Sequence, residues 1–94
     1  MITGFRSRAL KRYWTKADAS GIRPDWQPRV RLILSRLDAA VSPGEMSIPG
    51  LGFHPLTGDQ AGRYAVTVSR NWRITFAFDG ENAIAIDLED YHGR

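Results

Sequence analysis

The stretch 64-YAVTVSRNWRITFAFDGENAIAIDL-88 decides the fold. Within it Tyr64, Val66 and Val68 alternate with Ala65 and Thr67. Trp72, Ile74, Phe76 and Phe78 alternate with Arg73, Thr75 and Ala77, and Ile84, Ile86 and Leu88 with Ala83, Ala85 and Asp87. A period of two marks strands whose faces meet different surroundings. The separators Ser69-Arg70-Asn71 and Asp79-Gly80-Glu81 are short and of hairpin chemistry, so the three runs read as an antiparallel meander. One face carries the large apolar side chains and has to be covered. The other carries Ala65, Thr67, Arg73, Thr75, Ala77, Ala83, Ala85 and Asp87. An ordinary wet face carries more long charged residues, so this small, shallow face reads as a binding groove with Arg73 as its main positive charge.

The cover for the large face comes from upstream. Ile2 to Phe5 reads as a brief strand, and Ser7 can cap a helix through about Ala17, with Leu10, Tyr13, Trp14 and Ala17 at helical spacing. Ser20-Gly21-Ile22-Arg23 interrupts it, and Pro24 and Pro28 suit only the approach to, or first turn of, a second helix. Val30, Ile33, Leu34, Leu37 and Val41 form that helix's apolar stripe. The Gly- and Pro-rich run from Ser42 to Gly62 reads as an ordered loop with one short strand near Leu51 to His54, its order implied by Met46, Ile48, Leu51, Phe53 and Leu56. The expected fold is α+β, a single domain over residues 1–94 with two N-terminal helices packed on one face of a small antiparallel β-sheet.

Charge is divided unevenly along the chain. Residues 1–36 hold nine Lys/Arg against two Asp, while residues 37–94 hold four Arg against eight Asp/Glu, so a net +7 module precedes a net −4 one. A basic module attracts polyanions, nucleic acid foremost, although a lone basic helix is about as often only a solvated face. Arg8, Lys11, Arg12, Lys16 and Arg29 are the cations best placed for phosphate contacts. With no cysteine, disulfides and thiolate chemistry are excluded, which suits a reducing compartment; with no long apolar run near the N-terminus, neither a signal peptide nor a membrane span is expected. The cytoplasm is the expected location.

The two histidines and Arg73 carry the chemistry. His54 sits in the long loop, Arg73 on the small face, and Asp90-Tyr91-His92 beyond the last strand. Pairing through the 79–81 turn is expected to bring Arg73 near residues 86–88, one step from that terminal group. Metal ligation matches no standard spacing, and nucleophilic catalysis lacks a marked Ser or Cys. Phosphodiester cleavage fits best: RNA supplies its own 2′-hydroxyl nucleophile, so the protein needs a base, an acid and a cation for the developing phosphoryl charge. Histidine serves either proton role near neutrality and arginine grips phosphate, with no metal or cofactor required.

The run 54-HPLTGDQAGRYAVTVSRNWRITFAF-78 and the ending Glu89-Asp90-Tyr91-His92 closely resemble the HigB branch of the RelE/ParE toxin superfamily, and the N-terminal FRSRALKRYW segment fits it too. The resemblance spans essentially the whole chain. It implies a fold similar to compact microbial ribonucleases and a toxin of a type II toxin–antitoxin pair that enters the ribosomal A site and cuts mRNA there. Carried over by position, it implies functional roles for His54, Arg73, Asp90, Tyr91 and His92, and a cognate helix-turn-helix antitoxin of the HigA type. Where the family commonly has lysine in the HPL-x-GD loop, this chain has Thr57, which removes a cation from the implied site. The alternative within the superfamily is a ParE-like gyrase poison that cuts no RNA; the two histidines around an arginine argue against it. A plain RNA-binding domain would show stacking aromatics on the small face, and it shows none.

Overall fold

The structure is a computed structural model and describes residues 1–90. Helix α1 spans Arg8–Lys16 and begins where expected: Ser7 is extended, and its hydroxyl accepts the Leu10 N–H at 3.1 Å. It stops because Ala17 enters the left-handed region at φ 54 and returns its N–H to the Arg12 carbonyl. Hydrogen bonds from Ser20, side chain first and then backbone, with smaller contributions from Arg12 and Lys16, hold the Asp18 carboxyl just beyond this end below its ordinary value of 3.8. A short 3-10 turn at Pro24–Trp26 leads into α2, Gln27–Ala39, which buries Val30, Ile33, Leu34 and Leu37. Leu10 of α1 joins them in one cluster with Val66, Val68, Ile74, Phe76, Ala83 and Ile86 from the sheet and Met46 and Leu51 from the loop. At roughly 1.5–3 kcal/mol for each large apolar side chain removed from water, this cluster is the main source of stability.

The sheet has four strands in sequential order, all antiparallel: β1 His54–Pro55, β2 Tyr64–Thr67, β3 Trp72–Asp79 and β4 Asn82–Asp90. The expected α+β architecture is present. Val41, expected on the stripe of α2, lies past the end of that helix at Ala39 and is exposed. Three further details differ from the sequence reading. The loop strand lies at His54–Pro55 rather than Leu51–His54, because Leu51 is drawn into the core while His54 pairs with Ala65. Ile2 to Phe5 forms no regular strand; it makes two isolated parallel bridges, Ile2 to Ala83 and Phe5 to Ile86, and Asp38 of α2 accepts the Ile2 N–H. This segment satisfies the outer side of β4, with Thr3 N–H donating to Ala83, Ile86 N–H to Gly4, and Arg6 N–H to Ile86.

The third difference matters most for function. Register runs Arg73↔Glu89, Ile74↔Leu88 and Thr75↔Asp87, then resumes at Ala77↔Ile84, so β4 holds one residue more than β3 over this step. Ala85 lies in the bulge at φ 52, a strained value for a residue with a Cβ. An extra residue reverses the alternation, so Ala83, expected on the small face, is buried in the core, and Ile84 takes its place opposite Ala77.

Candidate active site

Directly paired residues share a sheet face. His54, Ala65, Thr75 and Asp87 therefore form one row across all four strands, and Thr67, Arg73 and Glu89 form the next. His54 and Arg73 lie on the same face, two strands apart, which at about 4.8 Å per strand leaves a span of ~10 Å across the sheet. The pairing thus places these two groups on one face of the sheet, in neighbouring rows.

His54 is held by its own loop. Its Nδ1 lies 3.0 Å from the Gly52 carbonyl oxygen. A carbonyl only accepts, so in this contact it is Nδ1 that carries the proton and donates. Gly52 can present that carbonyl because it adopts φ 62, and a Cβ there would stand 2.9 Å from Thr67 Oγ1. Phe53, between the two, stacks on Tyr64 at 5.7 Å and leans on Phe76 at 6.5 Å, which fixes the loop to the sheet.

Arg73 faces Glu89, not residues 86–88 as the unbulged pairing implied. Asp90 lies opposite Trp72, so alternation turns it to the face away from Arg73, and Glu89 rather than Asp90 is the acid beside that arginine. Tyr91, His92, Gly93 and Arg94 lie outside the described residues.

The shallow groove expected here is not bare. Ala65 and Thr75 are fully buried, and a second arginine accounts for the cover over Thr75. Arg63 stands two residues before Ala65, hence on the same face, and is only 7% exposed. Its Nη2 donates to Thr75 Oγ1 at 2.7 Å and to the Ala85 carbonyl in the bulge at 2.9 Å. Thr75 Oγ1 in turn donates to Glu89 Oε2 at 2.5 Å, and Arg63 Nη2 approaches the same oxygen at 3.8 Å. Burial pushes the Arg63 guanidinium below its ordinary value, and the charge of Arg6 adds to this; Glu89 and Asp87 oppose it. Arg63, Glu89 and Gly52 were missed by sequence reasoning. Arg63 was findable, since it continues the parity of Ala65 and Thr67 by one step.

A family model described as the RelE-like toxin of type II toxin–antitoxin system HigB matches residues 3–92. The chain belongs to the HigB-like toxin family. It is 37% identical over 92 residues to the Endoribonuclease HigB of Proteus vulgaris, an alignment that covers 98% of this chain and 100% of that one. The crystal structure of a copper-bound mutant toxin from Helicobacter pylori matches with a TM-score of 0.56 at 13% identity, covering 97% of this chain and 96% of that one; at such identity the likeness concerns the fold alone.

The five cations expected to meet phosphate in this HigB-like toxin fall into two groups. Arg8, Lys11, Arg12 and Lys16 are exposed and, with Thr15, line a shallow cleft on α1. Arg29 is not part of that open surface: its Nε donates to the Thr67 carbonyl at 2.7 Å and its Nη2 to the Gly50 carbonyl at 2.6 Å, tying α2 to β2 and the loop. Thr57, where the resemblance implied a lysine, is exposed at the start of the 3-10 turn Gly58–Gln60. Among the described residues no group of three or more His, Cys, Asp or Glu could hold a metal ion, and no helix is long and apolar enough to cross a membrane.

Proposed function

We propose that this chain is the toxin of a type II pair and an endoribonuclease that cuts mRNA in the ribosomal A site. One observation carries the reading: an imidazole whose tautomer is set by the Gly52 carbonyl shares a sheet face with Arg73, in a chain of the HigB-like family. The 2′-hydroxyl of the RNA attacks the adjacent phosphorus, the O5′ bond breaks, and a 2′,3′-cyclic phosphate forms. That step needs one proton removed and one delivered. His54 is one partner in this exchange and His92 the other. Arg73 receives the phosphoryl charge in the geometry its planar fork provides. Tyr91 orients a nucleotide, and Asp90 positions its chain neighbours. No metal or cofactor takes part.

The cleft on α1 meets ribosomal RNA through its phosphates, which position the enzyme without reading sequence. Cleavage of mRNA in the cytoplasm is toxic to the cell that makes the enzyme, so a cognate antitoxin of the helix-turn-helix type restrains it.

Inducing the wild type, Arg73→Ala and His54→Ala in a bacterium and mapping mRNA 5′ ends on translating ribosomes tests this. The wild type gives new in-frame ends, and Arg73→Ala lowers their yield by about 100-fold or more, the scale of losing one oxyanion-type donor. Growth arrest without new in-frame ends, accompanied by trapped gyrase, supports the ParE-like alternative and overturns the reading.

A further inference from the structure

Arg29 was expected among the cations that meet phosphate, and the structure gives it different work. Its Nε donates to the Thr67 carbonyl at 2.7 Å and its Nη2 to the Gly50 carbonyl at 2.6 Å, so one planar guanidinium grips two main-chain oxygens at once. Forked, charge-assisted bonds of this kind fix the separation of what they join. Here they join the end of β2 to the loop that carries His54.

That loop needs a hold from outside itself. Gly50 and Gly52 sit at φ 90 and 62, so the chain entering His54 turns at two residues that carry no Cβ to restrain them. The strand that follows is two residues long, and Pro55 has no N–H to give the sheet. Leu51 in the core and Phe53 on Tyr64 are apolar anchors, which fix depth more than direction. Direction is set around Thr67. Its N–H donates to the Leu51 carbonyl at 2.7 Å, its carbonyl accepts from Arg29, and its Oγ1 lies where a Cβ on Gly52 would stand 2.9 Å away. The Gly52 carbonyl oxygen in turn lies 3.0 Å from His54 Nδ1. A continuous run of contacts thus leads from the first turn of α2, through Thr67 and Gly50, to the imidazole.

We propose that Arg29 is a positioning residue for the proton transfer: by clamping Gly50 to Thr67 it fixes the Gly52 carbonyl, and through that carbonyl the orientation of the His54 ring. This rests on the role given to His54 above. Arg29 touches no substrate. Its charge acts by strengthening two bonds to the main chain, not by attracting RNA.

Single-turnover cleavage on programmed ribosomes by the wild type, Arg29→Met and Ile33→Val measures this, the last variant trimming a fully buried side chain of the same helix. Arg29→Met lowers the rate at saturating ribosome by about 30-fold, within the ~100-fold that a misplacement of about 1 Å costs, and leaves the half-saturating ribosome concentration unchanged. Ile33→Val keeps the wild-type rate. A raised half-saturating concentration at an unchanged maximal rate makes Arg29 a docking cation and overturns the proposal. So does an equal loss of rate in both variants, which marks an arginine that is merely structural. Imidazole nitrogen spectra of the free protein read the same aim without cleavage: the signature of Nδ1 donating to a carbonyl is present in the wild type and in Ile33→Val, and lost in Arg29→Met. An Arg29→Met protein that keeps the wild-type signature overturns the proposal. If Arg29→Met does not fold, Arg29→Lys keeps the charge without the fork; a loss of about fivefold with an altered His54 signature supports the proposal, and wild-type rate and signature overturn it. If the wild type cuts nothing on ribosomes while the His54 signature is lost in Arg29→Met and kept in Ile33→Val, the reaction assigned above fails and the positioning of His54 by Arg29 stands.

Discussion

On the helix side of the sheet, Val66, Ile74 and Phe76 are fully buried beneath Leu10, Val30, Ile33, Leu34 and Leu37. On the other side Thr75 and Ala65 are equally inaccessible, yet the groups around Thr75 are Arg63 and Glu89. The same strands thus bury residues in two ways. The apolar side is held by many small, undirected contacts, so its cost of disruption follows volume. The polar side is held by a few directed ones, so its geometry depends on single atoms and charges. A catalytic face has to be of the second kind, because dispersion fixes no proton and no charge in place.

Truncation should separate the two faces most clearly. Phe76→Ala removes a fully buried ring that packs against Phe53, Tyr64 and Phe78, and is expected to cost about 3–5 kcal/mol in urea unfolding. For a domain of this size that is a large part of the total, and the variant should be partly unfolded at 37 °C. Arg73→Ala, on the other face, should leave the unfolding free energy within about 1 kcal/mol while abolishing cleavage. Equal stability losses for the two would mean that the polar face is also structural and would break the contrast.

A smaller effect tests how the polar face is aimed. Gly52→Ala places a Cβ at a φ of 62 and 2.9 Å from Thr67 Oγ1, so either the loop or Thr67 must shift. A stability loss of about 1–2 kcal/mol is expected, with a larger consequence for His54, whose Nδ1 donates to the Gly52 carbonyl. Imidazole nitrogen spectra of the wild type should show the Nδ1–H tautomer dominant, and those of Gly52→Ala a mixture of tautomers. A variant that keeps the wild-type tautomer places the control of His54 elsewhere.

The same contrast explains what was legible in the sequence. The apolar side was readable because periodicity records burial: Ser7 capping α1, the Val30-Ile33-Leu34-Leu37 stripe and the alternation of β3 are all found where the pattern places them. The shared face of His54 and Arg73 follows from pairing, and the residues were legible though the loop strand was misplaced. The polar side was less readable where it depends on one extra residue. In Ala83-Ile84-Ala85-Ile86 small and large apolar residues simply alternate, so nothing local marks the bulge, and Ala85 adopts a positive φ that glycine would have announced. That single insertion moved Ala83 to the core, and the register it interrupts sets Glu89 beside Arg73. Arg63 was hidden for a different reason: it closes a loop, where a charged residue is unremarkable, and only tertiary burial gives it meaning.

The smallest effect concerns charges that neither face buries. Arg8, Lys11, Arg12 and Lys16 stand exposed on α1, where ion pairing contributes little to stability. Lys11→Ala should therefore change the unfolding free energy by no more than about 0.5 kcal/mol. If its ammonium neutralises one ribosomal RNA phosphate, one fewer counterion is released on binding. The slope of log affinity against log salt concentration then falls in magnitude by ~1, so the loss of affinity is largest at low salt and shrinks as salt rises. The maximal cleavage rate should stay at the wild-type value, since Lys11 contacts no reacting atom. A change in maximal rate with an unchanged salt slope would move Lys11 from the docking surface into the reaction, and the division between charges that position the toxin and charges that act on the phosphate would have to be redrawn.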